Sequence, residues 1–439
     1  MGIKFRLTLM SFLQFFVWGA WLTTLGTYGF DFKKWSGEEF GVVFSTLGIA
    51  SIFMPALMGI VADKWINAEK LYGTLHILYG ITLFFLAKMD NPASFFWVLL
   101  IGMCFYMPTL SLSNSLSYKI LKDNDYDVIK VFPPIRVWGT IGFIAAMWIT
   151  NIFSDNYSPL AFGKEIGQTM ADFFGNSLSA NQFYIASIGA IFLGLYSFSL
   201  PECPPQRLIN RDASLAKKLG LDAFKLFAEK KMALFFFFSM LLGAALQLTN
   251  MYGDTYLKDF KNIAEYADSA VVQYSTMIIS ISQISETLFI LAIPFFLRRF
   301  GIKKVILFSM FAWVLRFGFF SFGSPENFGL ILIILSNIIY GMAFDFFNIS
   351  GSLFVETTTD SKIRSSAQGL FMMMTNGFGA ILGSSISGFV IQKYFTENGI
   401  KDWHSIWLSF AIYALIIAIA FAVLFKHKHK PEDVASVTH

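Results

Sequence analysis

Twelve apolar runs, each close to the length of a membrane-spanning helix, constrain this chain of 439 residues more than any other feature. A helix needs about 20 residues to cross about 30 Å of hydrocarbon. Backbone amides in lipid must bond within one segment or within a closed barrel, and these runs lack the two-residue alternation of barrel strands. The sequence therefore predicts an all-α polytopic membrane protein with 12 transmembrane helices. The runs lie near residues 8–29, 40–61, 71–88, 95–116, 134–153, 181–200, 232–252, 271–297, 303–322, 328–350, 365–390 and 403–425.

The composition excludes several other classes of protein. Only 14% of the residues are charged and 55% are hydrophobic, whereas soluble domains carry about 25% charged residues. The two cysteines, Cys104 and Cys203, cannot build a disulfide framework or a thiolate metal site. The first run has no convincing cleavage site, so it predicts a retained helix and not a signal peptide.

The distribution of Lys and Arg predicts the orientation of the helices. With a cytoplasmic N-terminus, about three quarters of the 33 Lys and Arg residues lie on the cytoplasmic side. Both termini are then cytoplasmic. The basic loop at 201–231 becomes the longest cytoplasmic one, and its plainer interpretation is a linker beside anionic headgroups. The loop at 151–180 lies outside, is unusually long and polar, and contains no recognisable chemistry.

This layout divides the chain into two six-helix halves, which is the major facilitator architecture. The stretch GIVADKW after the second run supports it, because Gly59, Asp63 and Lys64 follow the G-x-x-x-D-[KR] order of that superfamily. We expect Gly59 to allow close helix approach. The predicted segments are an N-terminal bundle at 1–200, a cytoplasmic linker at 201–231, a C-terminal bundle at 232–426 and a cytoplasmic tail at 427–439.

Polar side chains within the runs are the candidates for function, because such residues are costly in lipid and usually face a cavity. They cluster by helical spacing in the fifth, seventh, eighth and tenth runs. The candidates are Arg136, Thr140 and Phe143, then Gln247 and Asn250, then Gln283 and Glu286, then Tyr340 and Phe344 with Asp345 beside them.

Several polar residues also have a purely structural interpretation. Gln14 and Asn376 are predicted mainly to form hydrogen bonds between helices. Arg136 lies near a helix mouth, so it either snorkels or faces a cavity. Arg316 is either an ion-pair partner of an acidic residue or a functional group.

The two acids in the runs, Glu286 and Asp345, are harder to explain structurally. A charged carboxylate exposed to lipid would cost about 2.5 kcal/mol or more, so each is expected in a cavity or an ion pair. Desolvation favours the neutral form of a buried carboxyl, so either acid can carry a proton near neutral pH. No cluster of oxygen ligands at an unwound helix, as a sodium site would need, is recognisable in the sequence.

Amides, a hydroxyl, aromatic rings, one cation and two acids together suit a ligand that is nearly neutral, rich in hydroxyls and flat on one face. A nucleoside fits this list better than a plain sugar, because aromatic side chains stack against a base. A sugar or polyol facilitator remains the alternative. No ATP-binding loop is present, the five histidines supply no enzyme site, and no cofactor, metal or nucleic acid is expected.

Long blocks of the sequence resemble the bacterial nucleoside:H⁺ symporter family of the major facilitator superfamily, nearly from end to end. The clearest are MSFLQFFVWGAWLTTLGTY, FMPALMGIVADKW, FPPIRVWGTIGFIAAMW, SMLLGAALQLTNMYG, SISQISETLFILAIPFFL, YGMAFDFFNISGS and SAQGLFMMMTNGFGAILG. The resemblance implies uptake of purine and pyrimidine nucleosides, such as uridine or adenosine, with a proton and by alternating access. It also implies a monomer in the bacterial cytoplasmic (inner) membrane. The residues it implies for the substrate site are Arg136, Thr140, Phe143, Gln247, Asn250, Gln283, Glu286, Tyr340 and Phe344, with Glu286 and Asp345 for the proton.

Two details refine the resemblance. The block SQISETLF favours the broad-specificity type over the xanthosine-preferring type. The outside loop at 151–180 is extended relative to the family, which bears on gating or surface contacts.

Overall fold

A computed structural model describes residues 2–156, 160–205, 221–360 and 363–428. Part of the predicted linker, at 206–220, and most of the predicted tail, at 429–439, lie outside the described residues. The described chain is helical apart from one short pair of strands, which confirms the all-α class. The chain divides into two compact units. The first contains residues 1–213, 250–261 and 270–277, and the second contains 214–249, 262–269 and 278–439.

The first unit is built from eight helices and the end of a ninth. They are α1 (Ile3–Gly19), α2 (Leu25–Thr27), α3 (Gly37–Lys64), α4 (Ala68–Leu86), α5 (Pro92–Asp123), α6 (Val128–Phe153), α7 (Ala161–Phe174) and α8 (Asn181–Ser197), with the last ten residues of α9 (Lys230–Asp259). α10 (Ala270–Gln273) and the first residues of α11 (Ser275–Ile279) complete it. A π-helix, Tyr28–Phe32, follows α2 directly.

The second unit contains the other long helices. They are most of α9, then α12 (Ile281–Ser321), α13 (Asn327–Thr358), α14 (Arg364–Met372), α15 (Gly379–Tyr394) and α16 (Trp403–Leu424), with a π-helix at Met373–Phe378. A 3₁₀-helix, Leu221–Ala228, precedes α9, and β1 (Thr396–Glu397) pairs antiparallel with β2 (Ile400–Lys401).

Local sequence signals explain several helix ends. The Ser36 hydroxyl accepts a hydrogen bond from the Glu39 amide at 3.2 Å, and the Glu39 carboxylate accepts one from the Ser36 amide at 2.8 Å. This capping box begins α3. Within α12, Gly301 has φ 77° and ψ 167°, so the continuous range contains two helices. A residue with a side chain would be strained there, and Gly301 marks the turn between the predicted eighth and ninth helices.

Nine of the helical stretches in the described residues are long and apolar enough to cross a membrane. α1 and α4, which overlap two of the other predicted spans, have 17 and 19 residues and are not among these nine. The fold class is therefore supported, while the count of twelve spans stays a prediction.

Several boundaries differ from the sequence-based prediction, among them those of the first, fifth and seventh runs. The first run is not one helix, because α1 ends at Gly19 and turns precede α2. The helix of the fifth run begins at Val128, six residues before the predicted start at 134, so Pro133 and Pro134 lie inside α6. The seventh continues past residue 252 to Asp259. Charged residues near the ends of the fifth and seventh runs made these two runs look shorter than their helices.

Two further expectations about the predicted loops need correction. The loop at 151–180, which was predicted to lie outside, contains a helix, α7, whose small residues Gly163 and Gly167 pack on the end of α6. Gly59 does not mediate a close approach, because a Cβ added there would meet no described atom within 4 Å.

Candidate functional site

In the second unit, α12 and α13 pack closely where the candidate acids lie. A Cβ on Gly341 would come within 2.7 Å of the Glu286 amide nitrogen, so only glycine permits this approach. Two serines of α12 reinforce the contact. Ser282 donates to the Asn337 side chain at 2.8 Å, and Ser285 donates to the Ile338 carbonyl. Glu286, which is half-buried, therefore lies beside the helix that carries Tyr340 and Asp345.

Tyr340 and Phe344 form a parallel aromatic pair on α13. Their ring centroids are 5.7 Å apart and their planes differ by 5°. Tyr340 is buried and Phe344 is half-buried, so the pair has one accessible end. Asp345 follows directly and is 4% exposed. A stacked pair beside carboxyl groups offers a flat apolar surface next to hydrogen-bonding groups.

Arg316 supplies a cation to the same region. Its guanidinium carbon lies 4.6 Å from the centroid of the Tyr340 ring, and the side chain is fully buried. The guanidinium donates to the Ser336 carbonyl at 2.7 Å, to the Thr249 hydroxyl at 3.2 Å and to the Ser282 hydroxyl at 3.3 Å. Within the part of the chain that the structure describes, Arg316 forms no ion pair with an acid, so the ion-pair interpretation of this residue is not supported.

Two amide side chains of the second unit have unfilled acceptors. Gln247 on α9 is 6% exposed, and its Oε1 has no hydrogen-bond partner among the described residues. Oε1 of Gln283, one turn before Glu286 on α12, also has no hydrogen-bond partner among the described residues. Buried acceptors are nearly always satisfied by protein, water or ligand. These two are therefore suited to accept hydrogen bonds from a bound molecule.

In the first unit, Arg136 packs against α1. Its guanidinium carbon lies 3.9 Å from the centroid of the Phe15 ring, a cation–π distance. Gly139 permits this packing, because a Cβ there would come within 2.6 Å of Phe15 and 2.8 Å of the Arg136 Nη1. The choice between snorkelling and a cavity role for Arg136 stays open.

The remaining candidates of the first unit are half-buried. Thr140 and Phe143 lie on α6, and the Phe143 backbone meets α1 at Gly19. Asn250 lies on α9, one residue before Met251, whose carbonyl oxygen approaches Gly26. The structure thus groups the candidates into a set on α6 and the end of α9 in one unit, and a set on α9, α12 and α13 in the other.

Sequence analysis missed a third polar cluster, which surrounds Asp254. This carboxylate is 1% exposed and accepts hydrogen bonds from Thr27, Ser275 and Thr276. The spacing of Asp254 and Lys258, four residues apart just after the seventh run, was the one signal for it.

Comparison with known proteins identifies the family. The family model described as "Nucleoside H+ symporter" matches residues 1–430. The chain belongs to the nucleoside H⁺ symporter family. This confirms the resemblance seen in the sequence, and it makes the protein a member of a family of transporters and not of enzymes.

Relatives within the nucleoside H⁺ symporter family match the whole chain. The nucleoside permease NupG and the xanthosine permease, both of Escherichia coli strain K12, are each 49% identical over an aligned length of 441 residues, covering 100% of both chains. A crystal structure of the nucleoside transporter NupG matches with a TM-score of 0.85 and 50% identity, covering 98% of this chain and 100% of that one. Overall sequence identity to these two permeases thus does not distinguish a nucleoside permease from a xanthosine permease.

Proposed function

We propose that this chain imports purine and pyrimidine nucleosides together with a proton, and that it does so by alternating access. Membership of the nucleoside H⁺ symporter family supports the substrate class and the coupling ion. The observation that carries the proposal is the parallel Tyr340–Phe344 pair, whose Tyr340 lies within electrostatic reach of both Glu286 and Asp345.

The chemistry of that region suits a nucleoside. Aromatic rings stack on a base at about 1–3 kcal/mol per base. The acceptor oxygens of Gln247 and Gln283 suit the hydroxyls of a ribose or the amino group of a base. In this proposal Arg136, Thr140, Phe143 and Asn250 of the first unit also take part in substrate binding.

The proton is assigned to Glu286 or Asp345. Both acids lie close to Tyr340, whose hydroxyl is within the electrostatic influence of each. A carboxyl group in a membrane interior favours its neutral, protonated form more strongly than a carboxyl group in water does. Binding of a proton and of a nucleoside in the same region would couple their movements.

The proposed location is the bacterial cytoplasmic membrane, with both termini in the cytoplasm and the protein acting as a monomer. The Lys and Arg distribution supports the orientation. It places the Asp259 end of α9 on the extracytoplasmic side.

Uptake measurements test the proposed function. Labelled uridine and adenosine should accumulate in vesicles when the outside is more acidic, and accumulation should stop when a protonophore removes the gradient. Unlabelled nucleosides should compete and unlabelled hexoses should not. Uptake that hexoses suppress, or that ignores the pH gradient, would favour a sugar or polyol facilitator instead.

A further inference from the structure

A buried carboxylate connects three separate elements of the first unit. Asp254 lies near the end of α9 and is 1% exposed. Its Oδ2 accepts a hydrogen bond from the Thr27 hydroxyl at 2.6 Å, where α2 ends. Its Oδ1 accepts from the hydroxyls of Ser275 at 2.7 Å and Thr276 at 2.8 Å, where α11 begins. One acid therefore holds α2, α9 and α11 together.

The charges around Asp254 are arranged in pairs. Lys258 of α9 pairs with Asp155, which follows α6, and Lys261 pairs with Asp31 of the π-helix. The phenol of Tyr28 also faces the cluster. Asp254 differs from these two acids, because hydroxyl groups hold it and none of the ion pairs among the described residues includes it.

A small polar cavity adjoins the carboxylate. Its volume is about 30 Å³, which is enough for one or two water molecules. The smallest pockets that bind small molecules have volumes of about 300 Å³. Three lining atoms of the cavity lack hydrogen-bond partners within the described ranges, namely the Tyr28 hydroxyl, Asn151 Oδ1 and the Ser154 hydroxyl. All three side chains are at least nine-tenths buried. Buried polar atoms without a protein partner are usually hydrogen-bonded to water. A water molecule in this cavity can transfer a proton to Asp254.

We propose that Asp254 is a second proton-binding group of the transport cycle, which holds the extracytoplasmic ends of these helices together when ionised and releases them when protonated. The proposal rests on the proposed function for the transport cycle and on the predicted orientation. It assigns to Asp254 a positioning role, distinct from any contact with substrate.

The hydrogen bonds explain why the proton weakens the contact. All three hydroxyl groups donate, which satisfies an ionised carboxylate. A protonated carboxyl must itself donate, so at least one of the three hydroxyls loses its acceptor or turns away. Hydrogen bonds to a charged group are also the stronger ones. Protonation therefore weakens the contact among α2, α9 and α11, which would favour opening toward the acidic side.

Accessibility of the cavity to a thiol reagent tests this proposal. The reporter is Ser154→Cys, a nearly isosteric change, in a chain with Cys104→Ser and Cys203→Ser. A membrane-impermeant methanethiosulfonate is added to intact cells without nucleoside, and rates are normalised to Phe173→Cys, whose parent side chain is 82% exposed. The normalised rate should rise about tenfold between about pH 8 and about pH 5, since one lost charge-assisted hydrogen bond has an effect of this order.

Three variants identify the titrating group. Asp254→Asn should label fast at every pH, because it cannot ionise. Thr27→Val removes one donor, so it should label faster at high pH while keeping a pH dependence. Asp31→Asn is the matched control acid and should keep a pH dependence, with a moved midpoint because Asp31 acts electrostatically on Asp254.

Each contrary result has a definite meaning. The proposal is overturned if the labelling rate of the Ser154→Cys reporter, with Asp254 intact, does not change with pH. It is also overturned if the pH dependence survives Asp254→Asn or disappears in Asp31→Asn. A rate that follows the exchange of sodium for choline, and not pH, overturns it in favour of a metal-cation site. If Asp254→Asn does not reach the membrane, the labelling rates of the Ser154→Cys reporter alone and of its Thr27→Val variant still test the proposal. Failure of uridine uptake alone would count against the proposed function and leave these labelling results standing.

Discussion

Arg316 is a buried cation held by neutral groups. Its guanidinium contacts a carbonyl, two hydroxyls and the faces of Tyr340 and Phe320. The planar fork of arginine reaches several acceptors at once and stacks on rings, which an ammonium group cannot do. Removing the charge altogether also removes the cost of burying it.

We therefore expect Arg316→Lys to destabilise the protein more than Arg316→Met. The lysine keeps the buried charge and loses most of its partners, at about 1.5–3 kcal/mol for each charged hydrogen bond. Thermal unfolding of the purified protein in detergent measures the order, with Arg299→Lys at an exposed position as the control. Equal melting temperatures for Arg316→Lys and the parent protein would show that the fork geometry is unimportant.

At the residue scale, the predictions for isolated polar residues were partly right. Asn376 was expected to bond to another helix, but its amide contacts a methionine sulfur one turn earlier in its own helical stretch, at 4.0 Å. Gln14 was expected to join helices, and it does. Its amide donates to Thr109 at 2.9 Å and its oxygen accepts from Tyr72 at 2.6 Å, which links α1 to α5 and α4. Asp254 was missed because its partners are hydroxyls from distant parts of the chain. Serine and threonine are too common in a sequence to indicate such a group.

At the scale of helices, hydropathy located the spans but not their ends or interruptions. α9 continues to Asp259 because Asp254 and Lys258 are buried and bonded, which cancels the polarity that seemed to end the run. The break after Gly19 carries no charge or proline to mark it. α7 was not predicted, because its small and polar residues resemble a loop until they pack on α6.

Contact between α1 and α6 depends on a glycine. A Cβ on Gly19 would lie 2.5 Å from the Phe143 carbonyl oxygen and 2.9 Å from its Cα. Gly19→Ala should therefore separate the helices, lower stability by about 1–3 kcal/mol and move Phe143. We expect a lower melting temperature and weaker uridine binding.

Gly318 is the matched control for this change. A Cβ there meets no described atom within 4 Å. Gly318→Ala should be neutral, or stabilising by about 1 kcal/mol, because alanine favours a helix. The packing argument fails if the two alanine variants melt and bind alike.

At the scale of the whole molecule, the fold class and the family were accessible from the sequence, because membrane helices need no long-range information to be recognised. The grouping of side chains into sites was not. Glu286 and Tyr340 come together through Gly341 and two serines of α12, and these contacts leave no periodic signal.

Coupling between proton and nucleoside is a property of the whole transport cycle, so it is best tested by accumulation against a gradient. At equilibrium, one proton per nucleoside gives about tenfold accumulation for each unit of pH difference. Glu286→Gln keeps the shape of the side chain and removes its titration. We expect this variant to bind nucleoside but not to accumulate it, whereas Glu286→Ala should lose binding as well.

Asp345→Asn is the parallel variant for the second acid, and binding and accumulation are measured for it in the same vesicles. Its carboxyl is more buried than that of Glu286. If one acid carries the transported proton, its neutral variant must uncouple nucleoside transport from the proton gradient. The reason is that the charge of this side chain then no longer changes during the cycle. If only Asp345→Asn uncouples transport, Glu286 contacts the substrate but does not carry the proton. If both neutral variants still concentrate nucleoside with an unchanged dependence on external pH, neither acid is the carrier.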